Sequence, residues 1–156
     1  MLEVQIKQVE PVTVMSLPFT GPYDQTRSKL EHLMSWLLRA GHPYSGKPFG
    51  CYYDDPAKVS ADQLRADVCL PIEEPCAGEE DIVRKVLPAA SMATAVFVGP
   101  YSDVPQAYGQ IFQWMAANGY RHVQGQPVRE VFVNMYAEEA EAAEPATEVQ
   151  VPVQPV

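Results

Sequence analysis

Hydrophobic and polar residues change rhythm along this chain in a fixed order. Val4-Gln5-Ile6-Lys7-Gln8-Val9 alternates with a period of two, and Val12 to Phe19 is a second β-rich run, so both are predicted as strands. The spacing then lengthens. Leu30, Leu33, Met34, Leu37 and Leu38 recur at helical intervals behind the turn Gly21-Pro22-Tyr23, which predicts a helix with Asp24 as its N-cap and Gly41 just past its end. A Pro/Gly-rich stretch from His42 to Gly50 separates this helix from a short strand at Cys51-Tyr52-Tyr53. Asp54-Asp55-Pro56 ends that strand, and Leu64 to Ile72 forms another.

The same order then repeats. Asp81 to Leu87 and Ala93 to Val98 read as strands, and Gly99-Pro100-Tyr101 is a turn. Ser102 takes the N-cap place, and Val104, Tyr108, Ile111, Phe112 and Met115 mark a helix that Gly119 closes. The turn, the tryptophans Trp36 and Trp114, and the glycines Gly41 and Gly119 all recur at one offset of 78 residues. Beyond the second helix the offset grows to 79, aligning Cys51-Tyr52-Tyr53 with Glu130-Val131-Phe132. It reaches 81 at the end, aligning Asp67 with Glu148 and Pro71 with Pro152. A period near 78 residues is too long for a solenoid, so the pattern means a duplicated half-domain, with internal repeats at about 1–78 and 79–156 of one domain spanning 1–156. Each half is strand, strand, helix, strand, strand. The expected fold class is α+β, with a largely antiparallel sheet, two main helices on one face and the other face left for binding. The Ala/Glu-rich stretch 137–146 gives no clear element.

The chain has 156 residues, enough for one core without staples, and no run approaches the roughly 20 apolar residues of a membrane span. With no signal peptide in view, a cytoplasmic location is expected and no membrane partner. The three cysteines, Cys51, Cys69 and Cys76, lack CxxC or CxxH spacing, which argues against a disulfide framework and against a zinc site; plain thiols in or near strands are expected. His32, His42 and His122 are scattered, so no metal and no cofactor are expected. No GxSxG elbow, P-loop, GxGxxG or HExxH is present. Net charge is −9, with seven Lys/Arg against ten Asp/Glu in residues 1–78 and four against ten in 79–156. Such a chain is a poor partner for nucleic acid and a better one for a neutral or cationic ligand.

Among the candidate residues Glu130 stands out, because it is an acid inside the β-rich run Pro127 to Asn134. Alternation places Glu130, Phe132 and Asn134 on one face, and Val131 and Val133 on the other, which is expected to pack against the helices. A carboxylate beside aromatic rings suits an organic cation; partly desolvated, the same carboxylate could serve as a general acid or base. By the duplication Tyr53 takes the place of Phe132 and would face the same cavity. Tyr52 is open by one residue of register, which reverses every facing. Tyr108 and Phe112 could line the end of a pocket or fill core. Trp36 and Trp114 are expected to pack against the sheet, and Tyr23 and Tyr101 to close turns.

Cys51 to Pro56, Leu64-Arg65-Ala66-Asp67, Arg129 to Asn134 and the closing Glu148 to Val153, in this order and spacing, resemble the GyrI-like small-molecule-binding domain, the effector-binding module of AraC- and MerR-type regulators. That resemblance spans nearly the whole chain. It implies a duplicated SH2-like (βαββ) fold with a ligand cleft between the halves, the family's pocket glutamate falling on Glu130, its neighbour on Phe132 and the first-half pocket tyrosine on Tyr53. It further implies a small-molecule sensor or sequestering protein standing alone, without a helix-turn-helix domain and so without direct contact to nucleic acid. Alternatives carried by the same family are hydrolysis of cyclopropanoid or similar electrophilic toxins, with Glu130 as the catalytic residue that orients or activates water, and inhibition of DNA gyrase. A regulator or gyrase is the protein partner these imply.

Overall fold

A computed structural model of the chain describes residues 2–73, 75–135 and 144–156. In chain order the strands and helices are β1 (Gln5–Val9), β2 (Val12–Thr20), α1 (Thr26–Arg39), β3 (Phe49–Tyr52), β4 (Arg65–Pro71), β5 (Val83–Leu87), β6 (Ala90–Val98), α2 (Pro105–Ala117), β7 (Tyr120–His122), β8 (Val128–Phe132) and β9 (Ala146–Pro155). The duplicated α+β plan is therefore present, with antiparallel pairing within each of the two units described below. Most of the Ala/Glu-rich stretch 137–146 lies outside the described residues.

The chain folds into two compact units, residues 11–88 and residues 1–10 with 89–156. These are not the sequence repeats. In the first unit the strands run β3-β4-β2-β5, and in the second β1-β6-β9-β8 with β7 on the C-terminal part of β9. The opening strand of each repeat is thus built into the other unit: β1 pairs with β6, Ile6 opposite Ala93, and β5 pairs with β2, Val14 opposite Lys85. Glu10-Pro11 and Pro88-Ala89 mark the two crossings. Proline lacks the N–H a ladder needs, so strands break there and the chain is free to change direction.

In the first unit α1 packs on β4 and β2 through Leu30, Leu33 and Leu37, all fully buried. Each such side chain contributes about 2 kcal/mol by leaving water. Leu38, expected in the same stripe, is 66% exposed because it falls off the buried face by about 100°. The second unit repeats the arrangement with α2 against β6 and β7. Its core joins Ala107, Ile111 and Met115 to Ala93, Ala95, Val149, Val151 and Val153.

Helix ends follow the glycines and helix starts do not follow the expected caps. Gly41 has φ +79°, and the N–H groups of Gly41 and His42 bond back to the carbonyls of Leu38 and Leu37 at 3.0 and 3.1 Å, a Schellman closure. Gly119 has the same φ. At the start, Asp24 lies inside a 3-10 turn, Tyr23–Gln25, that continues the Gly-Pro-Tyr bend, and α1 begins only at Thr26. The Thr26 hydroxyl donates to the Tyr23 carbonyl at 2.7 Å. Ser102 is likewise inside the 3-10 turn Tyr101–Asp103, and Pro105 opens α2, where its missing N–H costs nothing.

The tryptophans flank the cores rather than fill them. Trp36 donates from Nε1 to Glu79 at 2.8 Å, and Trp114 stacks on Tyr120 with centroids 6.0 Å apart. Cys51, Cys69 and Cys76 are buried, and none of the three is in a disulfide. No group of His, Cys, Asp and Glu with metal-holding geometry occurs among the described residues. No helix there is long and apolar enough to cross a membrane.

Candidate functional site

Register on β8 decides where its acid points. Glu130 lies opposite Val149, and Phe132 opposite Thr147. Val149 belongs to the core under α2, so Glu130 faces that helix, and Val128 packs on the same core. The expectation that Val131 and Val133 would be the helix-side face is therefore reversed. Val131 stands opposite Glu148, on the face where Lys7 and Glu148 pair at 3.2 Å. Helix-side apolar surface comes from the valines of β9, which leaves β8 free to carry an acid.

Tyr108, one turn into α2, donates its hydroxyl to Glu130 Oε2 at 2.5 Å. Burial pushes the Glu130 carboxyl above its usual value of 4.5, and the bond from Tyr108 pulls it part of the way back. Phe132 is 4% exposed and meets the Tyr101 ring edge-on, with centroids 5.8 Å apart. Thr147, beside Phe132 on the same face, is fully buried. Within the second unit these make one set: a carboxyl with a phenol on it, two rings and a hydroxyl.

The repeat supplies an internal comparison, once its alignment is corrected. Asp67 and Glu148 correspond, and they stand opposite Cys51 and Val131 respectively. The offset between β3 and β8 is thus 80, not 79, and the counterpart of Phe132 is Tyr52, not Tyr53. Ring contacts agree: Tyr23 meets Tyr52 edge-on at 4.7 Å as Tyr101 meets Phe132. The counterpart of Glu130 becomes Gly50. A side chain at Gly50 would have its Cβ 2.6 Å from the Tyr52 hydroxyl, because the Tyr52 ring folds over that position and bonds to Thr26 at 3.0 Å. Tyr108 corresponds to Leu30, and Thr147 to Ala66. The first unit therefore fills with Leu30, Gly50 and Ala66 the places that carry Tyr108, Glu130 and Thr147 in the second.

Tyr53 lies just past the end of β3, 37% exposed, and belongs to a different group. Its hydroxyl and the Lys85 ammonium both donate to Asp67 Oδ2, at 2.5 and 2.7 Å, and Arg65 lies over its ring at 5.7 Å. Burial raises the Tyr53 pKa and the hydrogen bond to Asp67 raises it further, so the hydroxyl stays a donor. Phe112, 40% exposed, meets His122 edge-on, with centroids 6.2 Å apart. Of the expected set, Glu130, Tyr108 and Phe132 share one place, Tyr52 occupies its counterpart in the first unit, and Tyr53 and Phe112 lie elsewhere. Thr147 and Tyr101 were not singled out as ligand contacts from sequence, although comparing the repeats position by position marks Thr147 as polar where its twin is alanine.

The family model of the GyrI-like small molecule binding domain matches residues 2–154. The chain belongs to that family. It is 32% identical over 123 residues, 76% of this chain and 79% of the other, to a protein of Pectobacterium carotovorum subsp. carotovorum (strain PC1) named DNA gyrase inhibitor. It superposes on the crystal structure of the EcmrR C-terminal domain with a TM-score of 0.87 at 23% identity, covering 100% of this chain and 99% of that one. SAV2435, solved bound to tetraphenylphosphonium, shares the fold at a TM-score of 0.61 and 13% identity, covering 97% of this chain and 94% of that one. A GyrI-like domain binds small molecules.

Proposed function

We propose that this GyrI-like domain is a sensor or sequestering protein for hydrophobic, aromatic cations, with Glu130 as the counter-charge and Phe132 and Tyr101 as ring surface. One observation carries the reading. The first unit folds with Leu30 and Gly50 where the second has Tyr108 and Glu130, so the fold itself does not need the acid. A partly desolvated carboxyl costs stability, and a cation recovers that cost. Ring faces beside it add cation–π attraction of about 0.5–2 kcal/mol. The tetraphenylphosphonium complex of SAV2435 supports aromatic cations as the ligand class.

Isothermal titration calorimetry with tetraphenylphosphonium tests this. Glu130→Gln keeps the shape and a hydrogen-bonding oxygen but removes the charge, so affinity should fall about 10-fold, or about 1.4 kcal/mol. Unchanged affinity would end the assignment. The name carried by the Pectobacterium relative favours a second reading, inhibition of DNA gyrase. Added protein should then suppress supercoiling of a relaxed plasmid by that enzyme, and unaltered supercoiling at stoichiometric excess would rule it out.

A further inference from the structure

The Oγ1 atom of Thr147 is buried and meets no hydrogen-bond partner among the described residues. Threonine offers one donor and two acceptor positions, and leaving all of them unpaired is destabilising. The position does not require a hydroxyl. Ala66, its counterpart on β4, is 2% exposed and faces Phe19 across the β2–β4 ladder, as Thr147 faces Phe97 across β6–β9. Valine, equal in shape and equally suited to a strand, would fill the place without the orphaned group.

Where the hydroxyl stands gives it a use. Thr147 is flanked by Phe97 on β6 and Phe132 on β8, on the face that carries Glu130. Glu130 and Thr147 are diagonal neighbours across the β8–β9 ladder, roughly 7–8 Å apart by Cα in such pairs. That is about the span of one aromatic ring with a polar group at each end. We infer that Thr147 is a specificity-determining contact of the Glu130 site, pairing with a hydroxyl or carbonyl oxygen borne by an aromatic amine whose cationic nitrogen lies on Glu130. The inference rests on the reading of Glu130 as the ligand's counter-charge and adds the far end of the ligand to it. Because Thr147 is fully covered, its hydroxyl becomes reachable when the Phe132 ring leaves its edge-on seat against Tyr101.

Phenethylamine and its 4-hydroxy derivative tyramine differ only in the oxygen and make a matched pair of probes. By calorimetry the wild type should bind tyramine about 3- to 10-fold more tightly than phenethylamine, the worth of one neutral hydrogen bond. Thr147→Val should erase that preference while leaving phenethylamine within two-fold, and Thr147→Ser, which keeps a hydroxyl, should retain it. The valine variant should also melt about 2–4 °C higher, since it removes a buried unpaired group. A tyramine preference that survives in Thr147→Val, or that is missing from the wild type, overturns the inference, as does a clear fall in melting temperature. If Glu130→Gln weakens both amines while the preference ignores residue 147, only the role of Thr147 falls. If Glu130→Gln binds both as well as the wild type does, the counter-charge reading falls and the inference with it.

Discussion

Glu130 pays for its position in a way that pH exposes. Its carboxyl titrates above 4.5 in the folded chain, burial outweighing the bond from Tyr108, so the folded state holds its proton where the unfolded chain has released it. Stability then falls as pH rises from about 4.5 through the raised value and is level beyond it. Glu130→Gln has no proton to lose. Denaturant midpoints of the two proteins should converge near pH 4, and the variant should be the more stable at pH 7. A wild type that gains on the variant between those pH values would show the carboxylate to be stabilised by the fold, the reverse of a site waiting for a cation. Glu130 was legible in the sequence as an acid in a strand of valines. Its partner Tyr108 was named with its role open, since periodicity marks the α2 stripe without saying which member meets a carboxyl.

At the scale of elements, the exchanged strands are clasped by equivalent ion pairs. Lys7 of β1 reaches Glu148 of β9 at 3.2 Å, and Lys85 of β5 reaches Asp67 of β4 at 2.7 Å, each spanning the strand between. The pairs share a position but not an environment. Lys7 and Glu148 keep side-chain exposures of 43% and 18%, whereas Lys85 and Asp67 keep 32% and 8% and share the acceptor with Tyr53. Burial opposes the charge on Lys85, yet the hydrogen bond and attraction from Asp67 outweigh it and raise its pKa. Asp67→Asn should therefore destabilise by about 3 kcal/mol, because it strands a half-buried ammonium. Glu148→Gln should cost less than about 1 kcal/mol. Urea midpoints measure both, and equal losses would deny the inner pair its special standing. Neither pair could be read from the chain, since Lys7 and Glu148 are 141 residues apart and only the strand order brings them together.

Across the whole molecule, the repeat announced in the sequence is real in its elements and different in its assembly. β1 and β5 each open a repeat and each complete the other unit's sheet. Strand pairing is satisfied equally well by either partner of similar pattern, so hydrophobic periodicity cannot distinguish a strand that folds onto its own repeat from one that crosses over. The net charge of −9 belongs to this scale too. If the chain restrains gyrase by presenting acid to a DNA-binding surface, suppression of supercoiling should weaken as salt is raised, as long-range charge attraction is screened; salt-independent suppression would point to a contact of another kind.

By itself the sequence determined the α+β class, the duplication, the helices with their glycine ends, and an acid in a β-rich run as the candidate for binding. These are local properties: apolar spacing, left-handed glycines and residue preferences act within a few positions. Only tertiary structure decided which face Glu130 takes, that Tyr52 and not Tyr53 mirrors Phe132, and that the Thr147 hydroxyl meets no partner among the described residues. Those facts turn on strand register, where one residue of slip exchanges inside for outside. Register is set by which ladder each strand joins, and that choice is made between segments far apart along the chain.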